Sequence, residues 1–247
     1  MTPDIDRDIR PPRTFGWPWR VIIGERFNPW WSVVYLVLHP LARSLVSMRS
    51  RGFEYIPSTG PAIIVCNHVS HIDPLLIGRF LVDAGRSPHF LAKRETFTGF
   101  TGVVMRAAEQ IPVDREDAPG KAFQAASAAL RAGQIVVIMA EGTITRDPEG
   151  MPGPLKTGAA RLAQSNPEVP IVLISQWGVQ RSINLYHKRF RLFPRIRHVV
   201  TAHPPLEFGD SLDVAARTAM IAELLTEGVV HHRHSAYDRK HTDKACL

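Results

Sequence analysis

Cysteine is nearly absent from this sequence: Cys66 and Cys246 are the only two in 247 residues. Two thiols cannot staple a chain of this length, which excludes a disulfide scaffold and leads us to expect free thiols in a reducing compartment. Long apolar runs are missing from the N-terminal region as well. The longest there, W-W-S-V-V-Y-L-V-L over Trp30–Leu38, stops at His39-Pro40, well short of the roughly 20 residues a membrane-spanning helix needs. No basic start precedes an apolar run at the extreme N-terminus, so no signal peptide is expected. G-x-G-x-x-G, Walker A and G-x-S-x-G strings are absent too. Dinucleotide binding, a P-loop and an α/β-hydrolase elbow therefore lose their main sequence support.

What remains is an ordinary globular composition, 45% hydrophobic and 21% charged, with a mean hydropathy of −0.07. It excludes disorder over most of the length and a polytopic membrane protein. The charge balance is less ordinary: 30 Lys+Arg against 23 Asp+Glu gives +7, which favours a polyanionic partner such as anionic lipid, nucleic acid or a phosphorylated substrate.

Acid is locally scarce in two places. Between Ile9 and Arg51 the only carboxylate is Glu25, against seven arginines, and the same segment holds Trp17, Trp19, Trp30 and Trp31. Tryptophan favours the membrane–water boundary because its ring is apolar and its N–H still needs a partner. We read residues 15–50 as one or two short helices lying in a bilayer surface; helices packed on the protein's own core would carry the same pattern. The second acid-free block, Val179–Leu206, holds Arg181, Lys188, Arg189, Arg191, Arg195 and Arg197 interleaved with Tyr186, Phe190 and Phe193. It suits an anionic lipid surface, single-stranded nucleic acid or a solvated loop. From His231 onward the chain is polar and aperiodic and reads as a mobile tail. The expected division is thus 1–50 as a membrane-associating helical segment, 51–230 as an α/β domain and 231–247 as the tail.

The middle of the chain alternates. Pro61–Cys66 and Gln134–Ala140 are short β-branched runs expected as buried strands, joined by Ile171–Ser175 and Arg197–Ala202. Ser70-His71-Ile72-Asp73 resembles a capping box with Pro74 just inside, so a helix to Val82 follows the first strand. Lys121–Arg131, Thr157–Ser165 and Leu212–Thr226 read as further helices. This alternation implies an α/β fold with a parallel or mixed sheet flanked by helices and functional groups at strand ends.

The densest polar cluster, N-H-V-S-H-I-D-P over Asn67–Pro74, stands at such an end. A histidine of near-neutral pKa with a carboxylate five residues on is a candidate base with an orienting acid. On one helix five residues turn about 140°, so the pair meets only if His68 lies in the turn and Asp73 in the first helical turn. A capping motif with a satisfied histidine is the plain alternative. A metal site from Cys66, His68, His71 and Asp73 is a rival reading that needs about four converging ligands. Ser70 is a candidate nucleophile or, better, a cap.

The cluster resembles the N-H-x-x-x-x-D signature of the glycerolipid acyltransferases, specifically the 1-acyl-glycerol-3-phosphate acyltransferase family. Further blocks follow in order: A-K-R-E-T-F from Ala92, I-P-V-D-R from Ile111, E-G-T from Glu141 with Leu155–Ala160 behind it, and V-P-I-V from Val169. Ile144 stands where the family has an arginine, and Leu173 where a proline is common. The resemblance implies transfer of an acyl group from a thioester donor, acyl-CoA or acyl carrier protein, to a lysophospholipid, with lysophosphatidic acid as the leading acceptor. His68 is then the general base and Asp73 its orienting acid. Arg115, Glu141, Gly142 and Thr143 would bind the acceptor phosphate region, with Glu141 on a glycerol hydroxyl or bracing an arginine. Arg146, Lys93 and Lys156 are further candidates for phosphate or donor. No metal or other cofactor is implied. The partners expected are the two substrates and an anionic membrane surface on the cytoplasmic face of the plasma membrane, bound peripherally, and not nucleic acid. A non-catalytic basic binding protein and a His/Asp lipid-ester hydrolase are the rival readings.

Overall fold

Five runs rich in valine, isoleucine and other apolar residues lie side by side as a parallel block, because strands covered by helices on both faces must be apolar on both. The computed structural model describes residues 40, 44–113, 120–191, 193, 195–209 and 211–245. Its main sheet contains β1 (Val46–Arg51), β2 (Ala62–Cys66), β3 (Pro88–Lys93), β4 (Ile111–Val113), β5 (Ile135–Met139), β6 (Ile171–Trp177) and β9 (Ile196–Ala202). The order across it is β1-β9-β6-β2-β5-β3-β4. From β6 to β4 all neighbours are parallel, with Ile64 of β2 opposite Val137 of β5 and Val172 of β6. β9 joins β6 antiparallel and β1 joins β9 parallel, so these two run against the rest. The sheet is mixed, as the alternation implied. A separate two-stranded hairpin, β7 (Ile183–Asn184) and β8 (Arg189–Phe190), follows β6.

Strand alternation sorts the core into two layers. Ile63 and Val65 face a cluster with α3 (Gly120–Arg131), α4 (Gly158–Ser165) and α5 (Val214–Ala245). Ala62, Ile64 and Cys66 face the opposite cluster, formed with Ile77, Phe80 and Leu81 of α1 (Asp73–Asp83). Cys66 thus lies in apolar packing, where burial pushes its thiol far up from the ordinary range. A further helix, α2 (Gly99–Ala107), links β3 to β4.

The connections place the site. The chain leaves β2 for α1 on one face and reaches β3 beyond β5. It leaves β5 for α4 on the other face and reaches β6 beyond β2. The carboxyl ends of β2 and β5 are therefore a topological switch point, where departing loops part and leave a crevice.

Two expectations change here. Residues 46–50, grouped with the N-terminal helices, are strand: Val46 pairs opposite Ile196 and packs with it under the sheet edge. Residues 1–39 and 41–43 lie outside the described residues, and the interfacial-helix reading falls mostly there. The helix expected to end at Thr226 continues to Ala245 and absorbs most of the polar tail. Its buried stripe Ile221, Leu225, Val229 and His232 explains why: the spacing continues through a histidine whose ring bonds the sheet, so tertiary packing carries the helix past the last apolar residue. Among the described residues no helix is long and apolar enough to cross a membrane.

Candidate active site

The turn after β2 is built around one carboxylate. Asp73 is fully buried, and its Oδ2 accepts hydrogen bonds from Val69 N–H at 2.6 Å, Ser70 N–H at 2.8 Å and His68 Nδ1 at 2.8 Å. The five-residue spacing works as the sequence required, with His68 in the turn and Asp73 opening α1. The Ser70 N–H bond is one half of a capping box. The other half is missing: the Ser70 hydroxyl donates instead to Ile183 O at 2.7 Å, tying the turn to the β7–β8 hairpin. A carboxylate only accepts, so His68 meets Asp73 through Nδ1–H and leaves Nε2 off the carboxylate. Its side chain is 16% exposed, open to a substrate and shielded from bulk water.

The backbone of His68 is fixed from the adjacent strand. Glu141, at the end of β5 and 3% exposed, accepts His68 N–H on Oε1 at 3.0 Å and Gly153 N–H on Oε2 at 2.8 Å. Burial raises its pKa, and the two backbone donors oppose that rise. The carboxylate expected to meet a glycerol hydroxyl or an arginine is thus turned to two peptide groups and braces the His68 turn. Thr145 N–H closes the same turn onto His68 O at 2.8 Å. Gly142 has φ +65°, a left-handed turn that favours glycine. A Cβ there would lie 3.4 Å from the Lys156 side chain, so Gly142 and Lys156 are neighbours.

Behind His68 is a buried polar knot. Asn67 Nδ2 donates to Gln176 O at 3.0 Å, and Asn67 Oδ1 accepts Gln176 N–H at 2.9 Å. Gln176 Nε2 donates to Asn67 O at 2.9 Å. His198 then donates through Nε2 to Gln176 Oε1 at 3.1 Å and accepts Val179 N–H on Nδ1 at 3.3 Å. Burial holds this histidine neutral, with a pKa lowered to about 4. These bonds lock the end of β2 to β6 and so fix where His68 begins.

In front of His68 the side chains are exposed. The Arg146 guanidinium stacks 5.9 Å from the Tyr186 ring centroid, and His71 lies 5.8 Å from the same ring. His187 Nε2–H donates to Arg146 O at 3.0 Å. Thr143 is exposed beside Gly142, while Ile144, where an arginine was looked for, is buried.

A family model described as Acyltransferase matches residues 47–177, more than half of the chain. The chain belongs to the acyltransferase family. This acyltransferase is 29% identical over 139 residues to a 1-acyl-sn-glycerol-3-phosphate acyltransferase of Bacillus subtilis, covering 55% of this chain and 65% of that relative. It is 33% identical over 165 residues to 1-acyl-sn-glycerol-3-phosphate acyltransferase alpha of Bos taurus, covering 65% of this chain and 54% of the relative. It therefore spans less than two thirds of the length of either. Among solved structures it resembles the 1-acyl-sn-glycerophosphate acyltransferase PlsC of Thermotoga maritima, with TM-score 0.62 and 20% identity over 87% of this chain and 86% of that one. At that identity the likeness shows the fold.

Of the acyltransferase residues singled out by sequence, His68, Asp73 and Glu141 converge. Gly142, Thr143, Lys156 and Arg146 belong to the β5–α4 segment beside them. Lys93 is exposed at the carboxyl end of β3, and Arg115 lies outside the described residues. The sequence did not single out Gln176 or His198, and it offered Tyr186 only as one of the aromatics of the basic 179–206 block. The signal for Gln176 was there: an amide ending the otherwise apolar run I-V-L-I has to find a partner when buried.

Proposed function

We propose that this acyltransferase moves an acyl group from a thioester, acyl-CoA or acyl carrier protein, to the free hydroxyl of a lysophospholipid, converting lysophosphatidic acid to phosphatidic acid. The observation that carries the reading is the Asp73-oriented His68 at the switch point of the sheet, in a chain whose relatives are named for that acceptor.

His68 Nε2 takes the proton of the acceptor hydroxyl as its oxygen attacks the thioester carbonyl. The buried Asp73 carboxylate stabilises the imidazolium that forms. The tetrahedral intermediate expels the thiolate, which recovers the proton from His68, so an ester and a free thiol leave. A thiol of pKa about 8.5 departs readily, and His68 needs no nucleophile partner. The acceptor phosphate falls to basic groups: Arg146, Lys156 and Lys93 around the mouth, and Arg115 by its place in the sequence, with Gly142 and Thr143 offering a close backbone approach. Arg146, set by its stacking on Tyr186, takes the place that Ile144 vacates. The enzyme works peripherally at the cytoplasmic membrane face, where its lipid acceptor resides.

The test is thiol release by the purified chain from acyl-CoA and from acyl carrier protein thioester, each with and without lysophosphatidic acid. Release that needs the acceptor and yields phosphatidic acid is expected with at least one donor. Equal release without acceptor would make the site a thioester hydrolase and end the transfer reading.

A further inference from the structure

Large apolar side chains on the surface are confined to one end of the described molecule. They are Leu75, Phe100, Val103, Tyr186, Phe190 and Phe193, and Phe190 and Phe193 are 69% and 74% exposed. By topology all six lie in segments that leave the carboxyl ends of the parallel strands: α1 after β2, α2 after β3, and the hairpin region after β6. The loops that enter the amino ends of β2, β4, β5 and β6 carry no such residue. Scattered exposed hydrophobics need no explanation, but a one-sided rim around the mouth of a site does.

Basic charge gathers at this end as well. The acid-free stretch Val179–Leu206 contains the hairpin, and Lys188 and Arg191 are exposed beside Phe190. Aromatic rings next to exposed basic groups suit the headgroup boundary of an anionic bilayer, with rings entering the acyl region and cations staying at phosphate level. The hairpin is also bonded to the site it adjoins. Ile183 O holds the Ser70 hydroxyl at 2.7 Å, Arg189 Nη1 donates to Pro148 O at 3.3 Å, and Tyr186 bridges His71 and Arg146. Whatever the hairpin enters, the His68 turn is drawn against.

We propose that the β7–β8 hairpin is a lipid-docking element that seats the mouth of the site on an anionic membrane, with Phe190 and Phe193 inserted and Lys188 and Arg191 on headgroup phosphates. This deepens, and rests on, the reading of the site as one that takes a lipid acceptor. It adds a membrane contact within the folded domain to the one expected from the N-terminal segment.

The experiment uses the full chain and flotation with phosphatidylcholine vesicles, with and without phosphatidylglycerol. The wild type is expected to partition more strongly to the vesicles containing phosphatidylglycerol. A Phe190→Ser/Phe193→Ser variant is expected to lose at least about tenfold in partition to both vesicle types, the effect of withdrawing two rings from lipid. A Lys188→Gln/Arg191→Gln variant is expected to lose roughly 25-fold on the phosphatidylglycerol vesicles alone, about fivefold per basic residue. Both variants should keep wild-type turnover of a short-chain, monomeric acceptor. Wild-type partition by both variants overturns the proposal. So does a Lys188→Gln/Arg191→Gln variant that floats normally but binds a single-stranded oligonucleotide more weakly, which would make the surface one for nucleic acid. Floating as described with no turnover of any acceptor would instead overturn the acyl-transfer reading and leave docking supported.

Discussion

Replacing Asp73 with asparagine separates what its carboxylate does in the structure, holding the turn, from the role proposed for it, stabilising charge on His68. The amide oxygen can take the place of Oδ2 and keep its three donors, Val69 N–H, Ser70 N–H and His68 Nδ1–H, so the histidine retains its tautomer. The new NH2 then occupies the position of Oδ1, which is buried and has no hydrogen-bond partner among the described residues. An unsatisfied buried donor costs about 1–3 kcal/mol of stability. The larger effect is on rate. In the wild type the imidazolium forms with Nδ1 2.8 Å from Oδ2, and its charge centre is roughly 4 Å from that of the carboxylate. At an effective dielectric constant of about 20 this attraction is about 4 kcal/mol, close to 10³-fold in rate. Because Asp73 is buried and touches no substrate, KM should change by no more than about threefold while kcat falls by about 10³. Acceptor-dependent thiol release, measured alongside a thermal melt, reads both quantities. A folded Asp73→Asn enzyme with kcat within tenfold of wild type would refute the electrostatic role.

Glu141→Gln must point an amide NH2 at either the His68 or the Gly153 N–H, and is expected to lower kcat at least tenfold and stability by about 1–3 kcal/mol; unchanged kinetics would show that Glu141 does not fix the turn. Burial lowers the pKa of His198, His203 and His232 to about 4, about 4 and about 3. Below the unfolded value of about 6.5 the unfolded chain binds protons that the folded one refuses, so stability present at pH 7 is lost as pH falls. The three together set an upper limit of roughly 4 kcal/mol between pH 7 and 5.5, and a urea midpoint that does not move over that range would contradict the burial. Gly228→Ala places a Cβ 2.6 Å from Ser175 Oγ and 2.9 Å from His203 Nε2. Overpacking of about 1–3 kcal/mol should outweigh the roughly 1 kcal/mol gain in helix propensity and lower the melting temperature; a rise would show that α5 is not pressed against β6 there.

The strands β2, β5 and β6 were legible because a buried parallel strand writes itself as an uninterrupted β-branched run, and the end of β9 because V-V-T is β-branched. β3 was not read as a strand: P-H-F-L-A-K is short and mixed, and its pairing is supplied by β4 and β5. β1, with Arg49 and Arg51 in it, is an edge strand whose alternation is weak, and the basic texture of its neighbours drew it into the wrong segment. The helix beyond His231 was hidden for a related reason. Its register is held by His232 on Ser175 Oγ at 2.9 Å, a contact 57 residues away in sequence. The His68–Asp73 pair was legible because both members lie in one loop and spacing alone decides whether they meet. The role of Glu141 was not, since the carboxylate of E-G-T reads the same whether it faces a substrate or two peptide N–H groups. The knot of Asn67, Gln176 and His198 needs three strands to assemble, and no local pattern announces it.

The most direct test of His68 as the base that activates the acceptor is acyl thioester turnover with lysophosphatidic acid by the wild type and by His68→Ala, at equal folded concentration. Acceptor-dependent thiol release is expected to fall at least about a hundredfold in the variant, with binding of lysophosphatidic acid retained. Turnover by His68→Ala equal to the wild type would contradict the mechanism.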